Sequence, residues 1–295
     1  VIVGAAVVAL ALPAALALLV AERYYRAAQL QMEFPRVHVG PSERSEAARA
    51  LGALEDVELR TDDALVLRGW YHPSRNRAAV VLVHGGGANR TELLPEATAL
   101  ARSGFGVLVY DARASGESDG VRVTWGVEEQ WDLRAAIDFL VARSDVDSAR
   151  VGAQGLSVGG STVALGAARD RRIRAVLLNA TWTSLRDEVD HKLGKYGRLS
   201  TTAALYAFER AGIDVDAVRP VDHVAEIAPR ALFVATGERD TDTPVSAMRT
   251  LFAAAGSPKE LWIVPGAPHG GYAKAAPGVY EERVVRFFTS SLLGP

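Results

Sequence analysis

The alternation of apolar and polar positions changes character three times along the chain. Val1 to Ala21 is apolar and carries no charged residue. Residues 22–53 are polar, with Pro35, Gly40 and Pro41 as breakers, and read as a connector. From Val57 onward short apolar runs alternate with amphipathic stretches. Val57–Thr61 alternates as a half-buried strand does, and Ala64–Tyr71 is its hairpin partner across Asp62 and Asp63. Apolar runs at 79–83, 105–110, 150–153, 173–178, 231–235 and 261–264 predict further strands. Helical spacing fills 92–102, 126–143, 159–169, 245–254 and 279–292. Strands that are apolar throughout, separated by helices, predict a mostly parallel sheet of about eight strands covered on both faces. The leading hairpin adds antiparallel strands at one edge. The stretch 181–229 breaks the rhythm and predicts a small helical cap over the carboxyl edge of the sheet.

Composition narrows the functional classes. A chain of 295 residues is long enough to bury a large core as a single α/β domain. Its net charge of -2 supplies no basic field to recruit nucleic acid. The absence of cysteine excludes disulfides, thiolate metal sites and a cysteine nucleophile.

The N-terminal segment carries a separate expectation. At ~1.5 Å per residue, a helix over Val1–Ala21 reaches about 30 Å, one hydrocarbon core. Tyr24 and Tyr25, flanked by Arg23 and Arg26, suit a membrane interface. Pro13 is compatible with a membrane helix. We expect a single-pass anchor over 1–21, with Arg23, Arg26 and Arg36 favouring a cytoplasmic catalytic domain. The alternatives are a secretory signal cut near Ala15-Leu16-Ala17, with the protein then secreted, and a buried core helix. The chain opens on Val1 and not on Met, so residues upstream are expected.

The chemistry is concentrated in four loops. Gly155-Leu156-Ser157-Val158-Gly159 is a G-x-S-x-G sequence between a predicted strand and a predicted helix. The tight turn needs small neighbours, and the helix that follows aims free N–H groups at a reacting carbonyl. A glycine-rich strand–helix turn can also bind phosphate. Against that, no spaced acidic residue closes a ribose site and no Gly-Lys-Ser/Thr triplet is present. His84-Gly85-Gly86-Gly87 follows the strand 79–83 and predicts an oxyanion loop. A developing oxyanion needs two fixed donors, assigned to the N–H groups of Val158 and Gly86, with Gly87 as the alternative. His84 reads as structural. Asp240 lies in the loop after the strand 231–235, with Asp242 as the other candidate. His269 lies in Pro265-Gly266-Ala267-Pro268-His269-Gly270-Gly271, after the strand 261–264. Of the six histidines, His269 alone falls where a general base belongs.

Ser157, Asp240 and His269 occur in the order of the α/β-hydrolase triad. From about Val57 to Leu292 the sequence resembles the α/β-hydrolase superfamily, nearest its dienelactone-hydrolase-like and esterase-like branch, which includes single-pass anchored members. Phe105–Arg113, Gly116–Gly120 and Pro258–Trp262 match stretches common there, although Ala114 stands where the family usually has glycine. The resemblance implies acyl-group hydrolysis by Ser157 with neither metal nor organic cofactor. It does not name the acyl substrate, and a lipid-like ester suits an anchored enzyme. A peptidase or acyltransferase on the same triad and a non-catalytic anchored binding protein are the alternatives. Trp182, Tyr196, Leu199, Leu205, Tyr206 and Phe208 either line an acyl pocket or form the cap's own core.

Overall fold

A computed structural model describes residues 2–294, with side chains described from Pro13 to Gly294. Eight strands form one sheet: β1 (Glu55–Arg60), β2 (Val66–His72), β3 (Ala79–Val83), β4 (Gly106–Tyr110), β5 (Val151–Leu156), β6 (Ile173–Asn179), β7 (Ala231–Gly237) and β8 (Lys259–Val264). Their order is β1-β2-β4-β3-β5-β6-β7-β8. β1–β2 and β2–β4 are antiparallel, and the remaining pairs are parallel. The sheet is that of the α/β-hydrolase fold, as the strand pattern predicts.

The helices are α1 (Ile2–Met32), α2 (Pro41–Leu51), α3 (Leu94–Arg102), α4 (Glu129–Val141), α5 (Val158–Arg169), α6 (Leu185–Leu193), α7 (Arg198–Arg210), α8 (Pro220–His223), α9 (Val245–Ala254), α10 (Tyr272–Ala275) and α11 (Val279–Leu292). They cover both faces of the sheet. Along β3, Val81 and Val83 enter a core with Leu133 and Ile137 of α4, Val163 of α5 and Met248 and Leu251 of α9. Val80 and Leu82 enter the opposite core with Leu100 of α3 and Val284 and Phe288 of α11. Burial on both sides is why the strand reads as five apolar residues in succession.

Strand order reverses between β3 and β5: the chain runs from β3 outward to β4, then crosses back to β5 and proceeds the other way. The loops leaving β3 and β5 therefore part at their carboxyl ends. That crevice is where an open α/β sheet binds ligands.

The insertion between β6 and β7 contributes a third apolar cluster. Trp182, Leu185, Val189, Ala204, Leu205 and Phe208 bury there with Trp125 and with Val158 at the start of α5. The candidate pocket residues divide accordingly: Trp182, Leu205 and Phe208 are buried, whereas Tyr196, Leu199 and Tyr206 are exposed.

The N-terminal region departs from expectation. Residues 22–53 are part of the folded body and not an open connector. α1 continues to Met32 and lies along α7, with Ala28 and Met32 buried in the third cluster. Tyr24 meets Tyr196 edge-on at 5.9 Å, and Tyr25 lies 6.1 Å from Tyr206. This aromatic pair packs on protein, because amphipathic rings beside cations suit helix packing as well as a lipid interface. Among the described residues no helix is long and apolar enough to cross a membrane. Much of the anchor expected over Val1–Ala21 lies outside the residues whose side chains are described.

Candidate active site

Ser157 sits between the last residue of β5 and the first of α5, with φ 56° and ψ -115°. A serine in the left-handed region costs on the order of 1–3 kcal/mol and persists only where its surroundings enforce it. Here the N–H of Ser157 donates to Asn179 O on β6 at 2.9 Å, and its carbonyl accepts from the N–H of Ser161 at 3.0 Å. Glycine is required on both sides. A Cβ at Gly155 would run into the Gly159 backbone, and one at Gly159 into the carbonyls of Val83 and His84. The close approach of β3, β5 and α5 at the serine turn thus selects the two motif glycines.

The imidazole of His269 lies against Asp240. Its Nδ1 is 2.9 Å from Oδ2 and 3.1 Å from Oδ1. The loops after β7 and β8 leave adjacent parallel strands, which brings residues 29 positions apart into contact. Asp240 is fixed within its own loop, where Oδ1 accepts the N–H groups of Asp242 at 3.0 Å and Thr243 at 2.8 Å. Asp242 points to solvent and serves the carboxylate through its backbone. Of the two candidate acids, the geometry pairs Asp240 with the histidine. Burial works against a charged imidazole, but the hydrogen bond and negative charge of Asp240 outweigh it and hold the His269 pKa above its ordinary 6.5.

The histidine loop runs alongside the serine's strand: a Cβ at Gly270 would stand 3.2 Å from Leu156 Cδ2. Among the described residues, no hydrogen bond of 3.5 Å or less joins Ser157 Oγ to the His269 ring. Such bonds are often long in a substrate-free site.

On the other side of Ser157 lies the loop leaving β3. A Cβ at Gly85 would be 3.5 Å from Ser157 Cβ, so this loop borders the serine. Its conformation is fixed from several directions. The N–H of Gly85 donates to Glu92 Oε2 at 2.6 Å. The N–H of Ala112 donates to His84 Nε2 at 3.0 Å, which leaves the proton on Nδ1, and Nδ1 donates to Gly85 O at 2.7 Å. His84 thereby bridges two loops. Among the described residues the N–H of Gly86 has no acceptor. The N–H of Val158, first in α5, has no carbonyl a turn before it. Both donors assigned from sequence thus border the serine, one from each loop.

Several contributors had no signature in the sequence. Thr243 donates its hydroxyl to Ala180 O at 3.1 Å, tying the Asp240 loop to the end of β6. His191 of α6 donates from Nε2 to Thr241 O at 2.7 Å, tying the insertion to the same loop. Glu188 of α6 is buried with Lys192 Nζ 2.8 Å away, and burial raises its pKa despite that cation. Ala114, in place of the usual glycine, adopts φ 57°. Among the described residues no group of three or more His, Asp or Glu could hold a metal ion.

Residues 17–220 match the X-Pro dipeptidyl-peptidase (S15) family. The chain belongs to that family. A relative in Mycobacterium tuberculosis, the uncharacterized protein Rv2307c, is 30% identical over 263 residues, covering 88% of this chain and 86% of the relative. Among solved structures, the esterase Pf2001 of Pyrococcus furiosus superposes with a TM-score of 0.73 at 24% identity, over 89% of this chain and 98% of the esterase. Est1E of Butyrivibrio proteoclasticus, solved with ferulic acid bound, gives a TM-score of 0.65 at 18% identity, over 80% of this chain and 99% of its own. At these identities the likeness establishes the α/β-hydrolase fold, and the S15 match supplies the family.

Proposed function

We propose that this S15-family chain is a serine hydrolase that cleaves a small carboxylic ester or thioester through Ser157, His269 and Asp240. The observation that carries the reading is the Asp240–His269 pair, on the two loops beyond the strained serine turn, with the N–H of Gly86 across from the serine and that of Val158 on its own turn, unpaired among the described residues. In the proposed reaction, His269 Nε2 takes the proton of Ser157 Oγ as the oxygen attacks the acyl carbon. The carbonyl oxygen gains negative charge and is held by the N–H groups of Gly86 and Val158. The tetrahedral adduct collapses, the protonated imidazole returns its proton to the departing alcohol or thiol, and the acyl group stays on Ser157. Water then repeats the sequence and releases the acid. Asp240 keeps the proton of the neutral ring on Nδ1 and stabilises the imidazolium.

The family's description favours a second reading, hydrolysis of an X-Pro peptide bond by the same three residues. Turnover of Ala-Pro-4-nitroanilide against 4-nitrophenyl acetate decides between them. Ser157→Ala tests both, with an expected fall in kcat of about 10⁴-fold. Unchanged turnover and continued fluorophosphonate labelling in that variant would remove the assignment. Membrane association through the first 21 residues remains a separate proposal, tested by fractionating the full-length protein after an alkaline wash.

A further inference from the structure

Phe34 belongs to none of the motifs, yet its ring rests on the oxyanion loop. A Cβ added to Gly86 would stand 2.8 Å from Phe34 Cε2 and 3.0 Å from Val158 Cγ2, and one added to Gly87 would stand 3.1 Å from Phe34 Cδ1. The ring therefore packs on the backbone of both glycines and shares the surface of Gly86 with the Val158 side chain.

Its position is fixed from both sides along the chain. Before it, Trp125 Nε1 donates to Gln31 O at 3.1 Å and the N–H of Val123 donates to Met32 O at 2.8 Å. After it, Arg36 donates to the carbonyls of Ser118 at 2.5 Å and Gly120 at 2.7 Å, and Asn89 Nδ2 donates to Val37 O at 3.0 Å. Residues 31–37 are thus pinned to the loops after β3 and β4. The half-buried ring also joins the apolar cluster of Trp125, Val158 and Trp182.

Sheet order supplies a direction. β7 and β8, which carry Asp240 and His269, lie on one side of β5, and β3 lies on the other. The leaving group must face His269, which returns its proton. With the carbonyl oxygen between the N–H groups of Gly86 and Val158, the remaining substituent on the carbonyl carbon turns away from the histidine. That is the side where Phe34 stands.

We propose that Phe34 is the specificity residue that limits the acyl group, forming with Val158 an apolar wall that favours short acyl chains over long ones. The inference rests on Ser157 and His269 acting as proposed above. The test is kcat/KM for 4-nitrophenyl esters from acetate to decanoate, with wild type, Phe34→Ala and Phe34→Trp, beside a second series of acetates that differ only in the alcohol. Phe34→Ala should raise the octanoate-to-acetate ratio by roughly tenfold, the order of discrimination a hydrophobic pocket achieves. Phe34→Trp should lower it, and the order of the alcohol series should hold in all three proteins. Should Phe34→Ala fail to fold, Phe34→Leu should move the ratio the same way by less. An unchanged ratio overturns the proposal. So does an equal fall in kcat at every chain length, which would make Phe34 a prop for the oxyanion loop. Fluorophosphonate labelling of the wild type separates the two readings. Labelling with an unchanged acyl profile removes Phe34 alone, and absence of labelling removes the Ser157 reading together with it.

Discussion

The two flanks of Ser157 are built on different principles. On the β7–β8 side the assembly is local and electrostatic: one carboxylate, held by its own loop, holds one imidazole. On the β3 side it is distributed and steric. The loop after β3 is held by Glu92 and by His84 reaching the loop after β4, and Phe34 in the segment before β1 packs on its glycines. A charged pair loses most of its effect when one partner is removed. A loop supported from several directions should degrade by steps.

The comparison breaks first at its electrostatic side. Asp240→Asn should lower kcat by about 10⁴-fold, because the amide presents the wrong hydrogen-bonding pattern to Nδ1, while Asp242→Asn should leave kcat within a few-fold of wild type. Steady-state kinetics of the two variants checks this, and the reverse result would exchange the acid.

On the steric side, Gly86→Ala should cost on the order of 10²-fold in kcat, as loss of one oxyanion donor does. Its Cβ would meet Phe34 and Val158 and push the loop out of place. Adding Phe34→Ala should recover part of the loss, and a double-mutant cycle on 4-nitrophenyl acetate measures how much.

Glu92→Gln replaces a charged acceptor of the Gly85 N–H with a neutral one. The expected loss is smaller, about fivefold in kcat, the difference between a charge-assisted and a neutral hydrogen bond.

The pH dependence sharpens the contrast further. General-base attack requires neutral His269, and Asp240 raises its pKa above 6.5, so kcat/KM should rise with pH through an inflection above that value. Asp240→Asn removes the main groups that raise the pKa and should move the inflection down. Variants at Gly86 or Glu92 should lower the plateau and leave the inflection in place. A pH–rate profile of each variant distinguishes the two flanks without any structural measurement.

Legibility in the sequence follows the same division. Every strand from β1 to β8 was readable, because burial on two faces leaves an uninterrupted apolar run and burial on one leaves alternation. The serine turn was readable because two backbones cannot approach its flanks unless both neighbours are glycine. Asp240 was preferred over Asp242 from sequence, but Asp242 stayed a candidate, since both lie in one short loop and the choice depends on which side chain its backbone turns inward. Phe34 left no trace at all. It is one aromatic residue beside Pro35 in a polar stretch, and its partners are glycines 52 and 53 positions away. Tyr24 and Tyr25 were legible as amphipathic rings, but the surface they meet, Tyr196 and Tyr206, belongs to an insertion whose docking no local pattern records.

The pinning of residues 31–37 bears on how the protein should be handled in the laboratory. A shortened version starting at β1 would retain all eight strands and the three residues proposed for the chemistry. It would also have lost the ring that packs on Gly86 and Gly87, so, on the role proposed for Phe34, assays on such a fragment would describe a wider doorway than the longer chain has. On the role proposed for Phe34, expression vectors that begin at β1 would therefore alter the selectivity they were meant to measure.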